Sequence, residues 1–383
     1  MSFGRAGERM NRKRIVLFGP TLFLIRNLAR NGFDVIAATR MDEYASKSRY
    51  GEKFIVSSRD SIVRIAEEII AKYGQGLPAI VCNEKYLNMI LFENPGLLGK
   101  FKFVMADESV MKLFLRKKDY YCFCKREGIE YPEIFSTGID AVESVNGEYP
   151  IFAKRDHNDE VVEKLGIPKG QRIGNDESLK EYLDKYDRGN EGKGCYVLQK
   201  FLGPEYKPVS MGGFYENGKE RFSIVVEQRR QYPLGISSFV IEAEDSEWKR
   251  KVRENTLKIV ESTGYTGFLE VEYRTDGEEV LLLDINPRLW KWGKIVSKKF
   301  PDFAECILSN REPKRNPEIV KWVDLRKDAF SLIYSKKARE SFSIKDYFPP
   351  ISFDIIDLKD LGPLVFLFNR KKRMRKRYKN RAF

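Results

Sequence analysis

Apolar residues recur along this chain with two different periods. Short unbroken runs, Ile15-Val16-Leu17-Phe18, Val35-Ile36-Ala37-Ala38 and Ala79-Ile80-Val81-Cys82, alternate with stretches where Leu22, Ile25, Leu28 and Ala29, and later residues 61–73, repeat at helical spacing. Runs of this kind suit strands covered on both faces, so a parallel βαβ arrangement is predicted for the N-terminal part. Asn31-Gly32 supplies the helix stop between the first two strands. No G-x-G-x-x-G follows the first strand, which argues against a dinucleotide site there. Beyond it a helix is expected over 107–128, ended by Gly128 and Pro132, with Lys117, Lys118 and Asp119 in its middle. Strands are then expected at 149–154 and 195–200, followed by a hairpin of 210–215 and 222–229 around Glu216-Asn217-Gly218-Lys219. An amphipathic helix over 248–263 precedes a last hairpin, in which Thr275-Asp276-Gly277 joins Val271-Glu272-Tyr273 to residues 279–285.

That last hairpin carries the most concentrated chemistry. Asp284-Ile285-Asn286-Pro287-Arg288 closes an apolar strand, and residues two apart on a strand share a face, so Asp284 and Asn286 project together while Ile285 turns inward. Glu272 joins them from the paired strand. Asp, Asn and Pro are also ordinary turn residues, and a plain strand end is the competing reading. Three hard oxygen ligands on one face suit Mg2+ carrying nucleotide phosphates, with Mn2+ as an alternative.

Other segments fall in a fixed order before it. Lys117 stands eleven residues ahead of Gly128-Ile129-Glu130-Tyr131-Pro132. Tyr149-Pro150-Ile151-Phe152-Ala153-Lys154 is a strand ending in lysine, and Gln199-Lys200-Phe201-Leu202-Gly203-Pro204-Glu205 ends another strand. Glu227-Gln228-Arg229-Arg230 follows on the next hairpin. This series resembles the ATP-grasp superfamily, in particular its carboxylate–amine ligases and carbamoyl-phosphate-synthetase-like members.

The resemblance implies an α/β protein, α+β in its nucleotide-binding part, with a Rossmann-like N-terminal domain followed by a two-subdomain ATP-grasp fold. It divides the chain into a domain of residues 1–105, an ATP-grasp domain of 106–310 with a smaller lid subdomain at about 133–200, and a C-terminal extension of 311–383. It implies that Lys117 and Lys154 hold phosphates, that Gln199 faces the adenine amino group, that Lys200, Phe201 and Leu202 form the hinge, and that Glu205 binds the ribose. Glu272, Asp284 and Asn286 are then the Mg2+ ligands, Arg288 and Lys154 the catalytic cations, and Arg230 a contact for an anionic substrate.

The sequence also departs from the family pattern. A Gly/Ser-rich phosphate loop is expected after Lys154, yet Arg155-Asp156-His157-Asn158-Asp159-Glu160 stands there. Gln199 replaces the commoner acid, and one residue is missing between hinge and glycine. Asp284 stands where many relatives have glutamate.

The implied activity is an ATP-dependent ligase that joins a carboxylate to an amine through an acyl phosphate and releases ADP and phosphate. A cell-surface polymer or peptide precursor is one acceptor class. The alternative is an ATP-binding, non-catalytic or scaffolding protein that keeps the fold.

Composition adds location. Five cysteines without a C-x-x-C pair indicate neither a disulfide framework nor a thiolate zinc site, which fits a reducing, cytoplasmic setting. One histidine, His157, excludes any site needing two imidazoles. Of the formal net charge of +13, nine charges lie within residues 370–381, leaving only +4 for residues 1–369. The apolar segment 361–368 directly before this tail suggests an anionic membrane surface as partner, at the inner face of the membrane. A solvated tail is the plain alternative. Nucleic acid is the weakest reading, because only Tyr378 is interleaved with the basic residues. A homodimer is compatible with the sequence.

Overall fold

The computed structural model describes residues 13–58, 61–158, 162, 164–187, 194–309 and 311–369; the basic tail lies outside the described residues. The chain forms two compact units. The first contains the residues up to Met105, together with 230–241 and those from Lys291 onward, and the second contains 106–229 and 242–290.

In the first unit, β1 (Arg14–Phe18), β2 (Asp34–Thr39), β3 (Glu52–Ile55), β4 (Pro78–Val81) and β5 (Lys102–Phe103) form a parallel sheet in the order β3-β2-β1-β4-β5. The apolar runs become its central strands: Ile15, Val16, Leu17 and Phe18 are wholly buried. The turn after β1 is closed rather than open to a ligand. Gly19 has φ +61°, and a Cβ on it would lie 2.3 Å from Asn83 Nδ2 and 2.4 Å from the Tyr86 ring. Asn83 Nδ2 donates to the Gly19 carbonyl at 2.9 Å, so side chains fill the space a pyrophosphate takes in dinucleotide-binding folds.

The second unit contains two antiparallel sheets. β6 (Ile134–Phe135), β7 (Ile151–Arg155), β8 (Gly170–Ile173) and β9 (Tyr196–Lys200) are ordered β6-β9-β7-β8. They pack Ile151, Ala153, Ile173 and Leu198 against Leu179 and Tyr182 of the helix Asp176–Tyr186. The second sheet contains β10 (Lys207–Glu216) and β11 (Lys219–Gln231), joined by Asn217 and Gly218 at φ +50° and +77°, the conformation an Asn-Gly hairpin turn requires. After β12 (Ser237–Glu242) the chain enters the helix Glu247–Thr263, capped by the Ser246 hydroxyl and by Gly264 at φ +60°. β13 (Gly267–Thr275) and β14 (Val280–Asn286) complete a run of neighbours β14-β13-β10-β11.

The helix expected over 107–128 is broken. It divides into Glu108–Leu115 and Lys117–Glu127, with Arg116 extended at φ −120° and ψ 119°. Lys117 therefore opens a helix instead of lying in the middle of one.

Within the first unit, β15 (Lys321–Val323) pairs antiparallel with β12 and parallel with β16 (Ile351–Phe353). Arg230 belongs here, and its position does not follow the expectation that it meets substrate. It is 1% exposed, with Nε and Nη2 on the Asp328 carboxylate at 2.9 and 3.0 Å, Nη1 on Asp346 at 2.6 Å, and the Phe239 ring 4.1 Å away. Ser238 and Tyr347 donate to the same Asp328 carboxylate. Arg230 is a structural cation, buried because two aspartates compensate it.

Breaking such a pair leaves an uncompensated buried charge. Asp328→Ala is expected to lower stability by about 3–5 kcal/mol in urea unfolding; a loss below about 1 kcal/mol would show that the cluster contributes little.

Candidate active site

β13 and β14 place Glu270 opposite Asn286 and Glu272 opposite Asp284, and then the register slips. Tyr273 faces Leu282, so Leu283 is an extra residue on β14, a bulge whose backbone leaves the ladder. The Leu283 carbonyl accepts from Lys154 Nζ at 2.7 Å, with the Tyr121 and Tyr120 hydroxyls at 2.9 and 3.0 Å. Lys154 Nζ also reaches the Tyr121 hydroxyl at 2.8 Å, and Tyr120 reaches Asp284 Oδ1 at 3.0 Å. Burial pushes both tyrosines well above the ordinary phenol range, so they remain protonated donors.

The break at Arg116 has a use. It exposes the first amides of the helix Lys117–Glu127, and Asp156 takes them: Lys117 N donates to its carbonyl at 3.1 Å and Lys118 N to Oδ1 at 2.8 Å. His157 Nδ1 lies 2.9 Å from Asp156 Oδ2. Burial pushes the Asp156 carboxyl up, but His157 and the Lys118 amide outweigh it and hold the pKa below the ordinary value. Asp156 follows β7 directly, so this capping joins the strand that carries Lys154 to the helix that carries Lys117.

The second lysine meets the hairpin head-on. Lys117 Nζ lies 2.9 and 3.1 Å from the two Asp284 oxygens. Asn286 Nδ2 donates to Glu272 at 2.9 Å and to Glu270 at 3.3 Å, while Arg288 Nη2 donates to Asn286 Oδ1 at 2.9 Å. That arginine contact fixes which way the amide points. Burial, and then the Asp284 carboxylate, push Glu272 above the ordinary glutamate range, with Arg288 and Asn286 opposing. Burial also pushes Asp284 up, yet Lys117, Lys154 and Tyr120 outweigh it and hold it low.

Glu272 and Asp284 thus form a close carboxylate pair suited to a hard divalent cation. Among the described residues no group of three or more His, Cys, Asp or Glu side chains could hold a metal alone. A cation here would complete its shell with phosphate oxygens and water, as Mg2+ commonly does.

In the segment expected to form the hinge, β9 ends at Lys200, whose N–H donates to the Glu133 carbonyl at 2.9 Å. Gln199 is buried, with Oε1 3.3 Å from the Tyr121 hydroxyl. Phe201 and Leu202 continue without regular structure, and the Phe201 ring lies 5.4 Å from the Arg172 guanidinium. Glu205 is exposed and folds back over Gly203, where a Cβ would lie 2.3 Å from its carboxylate. Part of the segment after Lys154 (159–161 and 163) lies outside the described residues.

Sequence reasoning missed Tyr120, Tyr121 and Asp156, and set Glu270 aside for Glu272. The tyrosines had a signal: three and four residues after Lys117, they share its helical face. Asp156 had none, because its role follows from the helix break.

Solved structures match the fold over most of the chain. N5-carboxyaminoimidazole ribonucleotide synthetase from Thermus thermophilus covers 75% of this chain and 74% of its own, at 18% identity and TM-score 0.56. N5-carboxyaminoimidazole synthetase from Staphylococcus aureus covers 80% and 79%, at 16% identity and TM-score 0.62. The fold is the ATP-grasp fold. A third structure with this fold is the biotin carboxylase domain of Hydrogenobacter thermophilus 2-oxoglutarate carboxylase, solved with MgADP, ADP and bicarbonate (80% and 71%, 14% identity, TM-score 0.59). At these identities the likeness to ATP-grasp structures is one of fold. No protein-family model and no curated protein matches the sequence.

Burial pushes Lys154 from the ordinary 10.5 down to about 7, with Asp284 opposing and Lys117 adding to the shift. The unfolded chain then binds the extra proton between these values, so Lys154 makes stability rise with pH across that window. Wild-type stability minus that of Lys154→Met should increase from pH 7 toward 10 in urea titrations, whereas a flat difference would mean an ordinary lysine.

Proposed function

We propose that the chain is an ATP- and Mg2+-dependent ligase that joins a carboxylate to an amine. The observation that supports this best is the convergence of Lys117 and Lys154, from separate elements, on the hairpin bearing Glu272, Asp284, Asn286 and Arg288. Two cations facing two carboxylates form an array that phosphates and a divalent cation can enter by exchanging partners. Lys117 would exchange Asp284 for phosphate oxygens, leaving Glu272 and Asp284, with Asn286, for Mg2+. Bound there, Mg2+ supplies charge neutralisation on the phosphates.

The remaining roles belong to the chain itself. Lys154, delivered by Tyr121 and the Leu283 carbonyl, takes phosphate oxygens as a compact ammonium. Arg288 lies at the end of β14, where a guanidinium steadies charge growing on the transferred phosphoryl group or the tetrahedral oxyanion. Gln199, the backbone of Lys200, Phe201 and Leu202, and Glu205 receive adenine and ribose. The substrate carboxylate attacks the terminal phosphoryl group and ADP leaves; the amine then attacks the acyl phosphate and expels inorganic phosphate. No side-chain nucleophile is required.

For the acceptor we assign a precursor handled at a membrane surface, of the cell-surface polymer or peptide class. The support is the apolar and then basic order of residues 361–381. The second reading, nucleotide binding without turnover, draws on Asp156 and His157 being tied into the helix cap where a glycine-rich loop was expected.

Amine-dependent ADP release separates the two readings. Asn286→Ala, which removes the acceptor of Arg288 Nη2 and the amide that donates to Glu272, should reduce kcat about 10²–10³-fold, and chelation of Mg2+ should stop release. Nucleotide binding without ADP release across panels of carboxylates and amines would favour the second reading.

A further inference from the structure

Exposed apolar side chains are not spread evenly over this protein. Among the described residues sixteen large ones are exposed, and eleven of these lie between Leu325 and Phe368. Single exposed apolar residues need no explanation, but a concentration does.

The end of this stretch has the clearest geometry. Asp360 is buried and receives Arg26 Nε at 2.8 Å, the Ser48 hydroxyl at 2.7 Å and the Arg49 amide at 2.8 Å, which fixes the chain as it enters a helix over 362–369. The inner face of that helix is packed. The Phe366 ring meets Tyr44 edge-on at 5.8 Å with Lys47 Nζ 5.3 Å away, and at Gly362 a Cβ would lie 2.1 Å from the Lys47 carbonyl oxygen. The outer face carries Leu361, Val365 and Phe368, 50%, 55% and 58% exposed, at the i, i+4, i+7 spacing of a single apolar stripe. Val365 N donates to the Leu361 carbonyl at 3.0 Å, so Leu361 belongs to the first turn.

We propose that this stripe, with the basic residues that follow it, docks the protein on an anionic membrane surface. The proposal deepens the acceptor reading above without depending on the ligase chemistry. Charge complementarity selects the occupant: nine Lys and Arg without an acid occupy residues 370–381, immediately after the stripe. An apolar helix face that enters the headgroup layer beside a polybasic segment is the two-part anchor that anionic bilayers retain. No helix among the described residues is long and apolar enough to cross a membrane, so the helix would lie in the surface. A second copy of the chain is disfavoured as occupant by the shared net charge of +13. RNA is disfavoured because Tyr378 alone offers the tail a stacking ring.

The test is sedimentation of the full chain, without nucleotide, on phosphatidylcholine vesicles with and without phosphatidylglycerol. Expected is binding to the anionic vesicles, weakened by salt and at least about tenfold weaker on neutral ones. Deleting residues 370–383, or replacing Val365 and Phe368 by Asp, should each weaken binding by about tenfold or more. Both side chains point to solvent, so thermal midpoint and ADP release measured without vesicles should stay unchanged. Equal binding to neutral vesicles, no binding to anionic ones, capture by RNA or an acidic protein in place of vesicles, or undiminished binding by either variant overturns the proposal. Because binding is read without nucleotide and turnover without vesicles, failure here is distinct from failure of the ligase reading.

Discussion

The bulge at Leu283 releases one backbone carbonyl from the β13–β14 ladder, and the polar interior of the second unit is arranged around that oxygen. Lys154, Tyr121 and Tyr120 all reach it. β14 is the edge strand of its sheet, and the Leu283 carbonyl gives the buried lysine beside it an acceptor. A buried ammonium without one is costly enough that burial alone favours the neutral amine. The bulge also leaves Asp284 and Asn286 aligned with Glu272 and Glu270, so one backbone irregularity sets both the lysine and the carboxylates.

Charge balance explains the rest of the arrangement. Glu272 and Asp284 are register partners across β13 and β14; Lys117 compensates Asp284, and the Asn286 amide, itself held by Arg288, donates to Glu272. Under the proposed function each contact would be exchanged, ammonium for metal on Asp284 and carboxylate for phosphate on Lys117. The Asp156 cap would keep both lysines in range during such an exchange, because it ties the strand of one to the helix of the other through backbone amides. By contrast, the Arg230 cluster in the first unit is fully buried and closed by two aspartates, so there a similar set of charges is structural.

Much of this was legible from local pattern. Unbroken apolar runs gave the parallel strands, Asn217-Gly218 gave a hairpin, and the alternation around Ile285 gave the common face of Asp284 and Asn286. What escaped depended on contacts distant in sequence. The break at Arg116 is set by Asp156, about forty residues later, and the bulge at Leu283 has no glycine or proline to announce it. Arg230 illustrates the same limit: two adjacent arginines look like an anion site until Asp328 and Asp346 fold against one of them.

The most direct test of the account is a crystal structure of the chain with MgADP. Expected are the Lys117 and Lys154 ammonium groups on the phosphates, the cation on Glu272 and Asp284, and adenine along Gln199 to Leu202, with Lys117 no longer paired to Asp284. Nucleotide bound elsewhere, or phosphates held without either lysine while Lys154 remains on the Leu283 carbonyl, would contradict it.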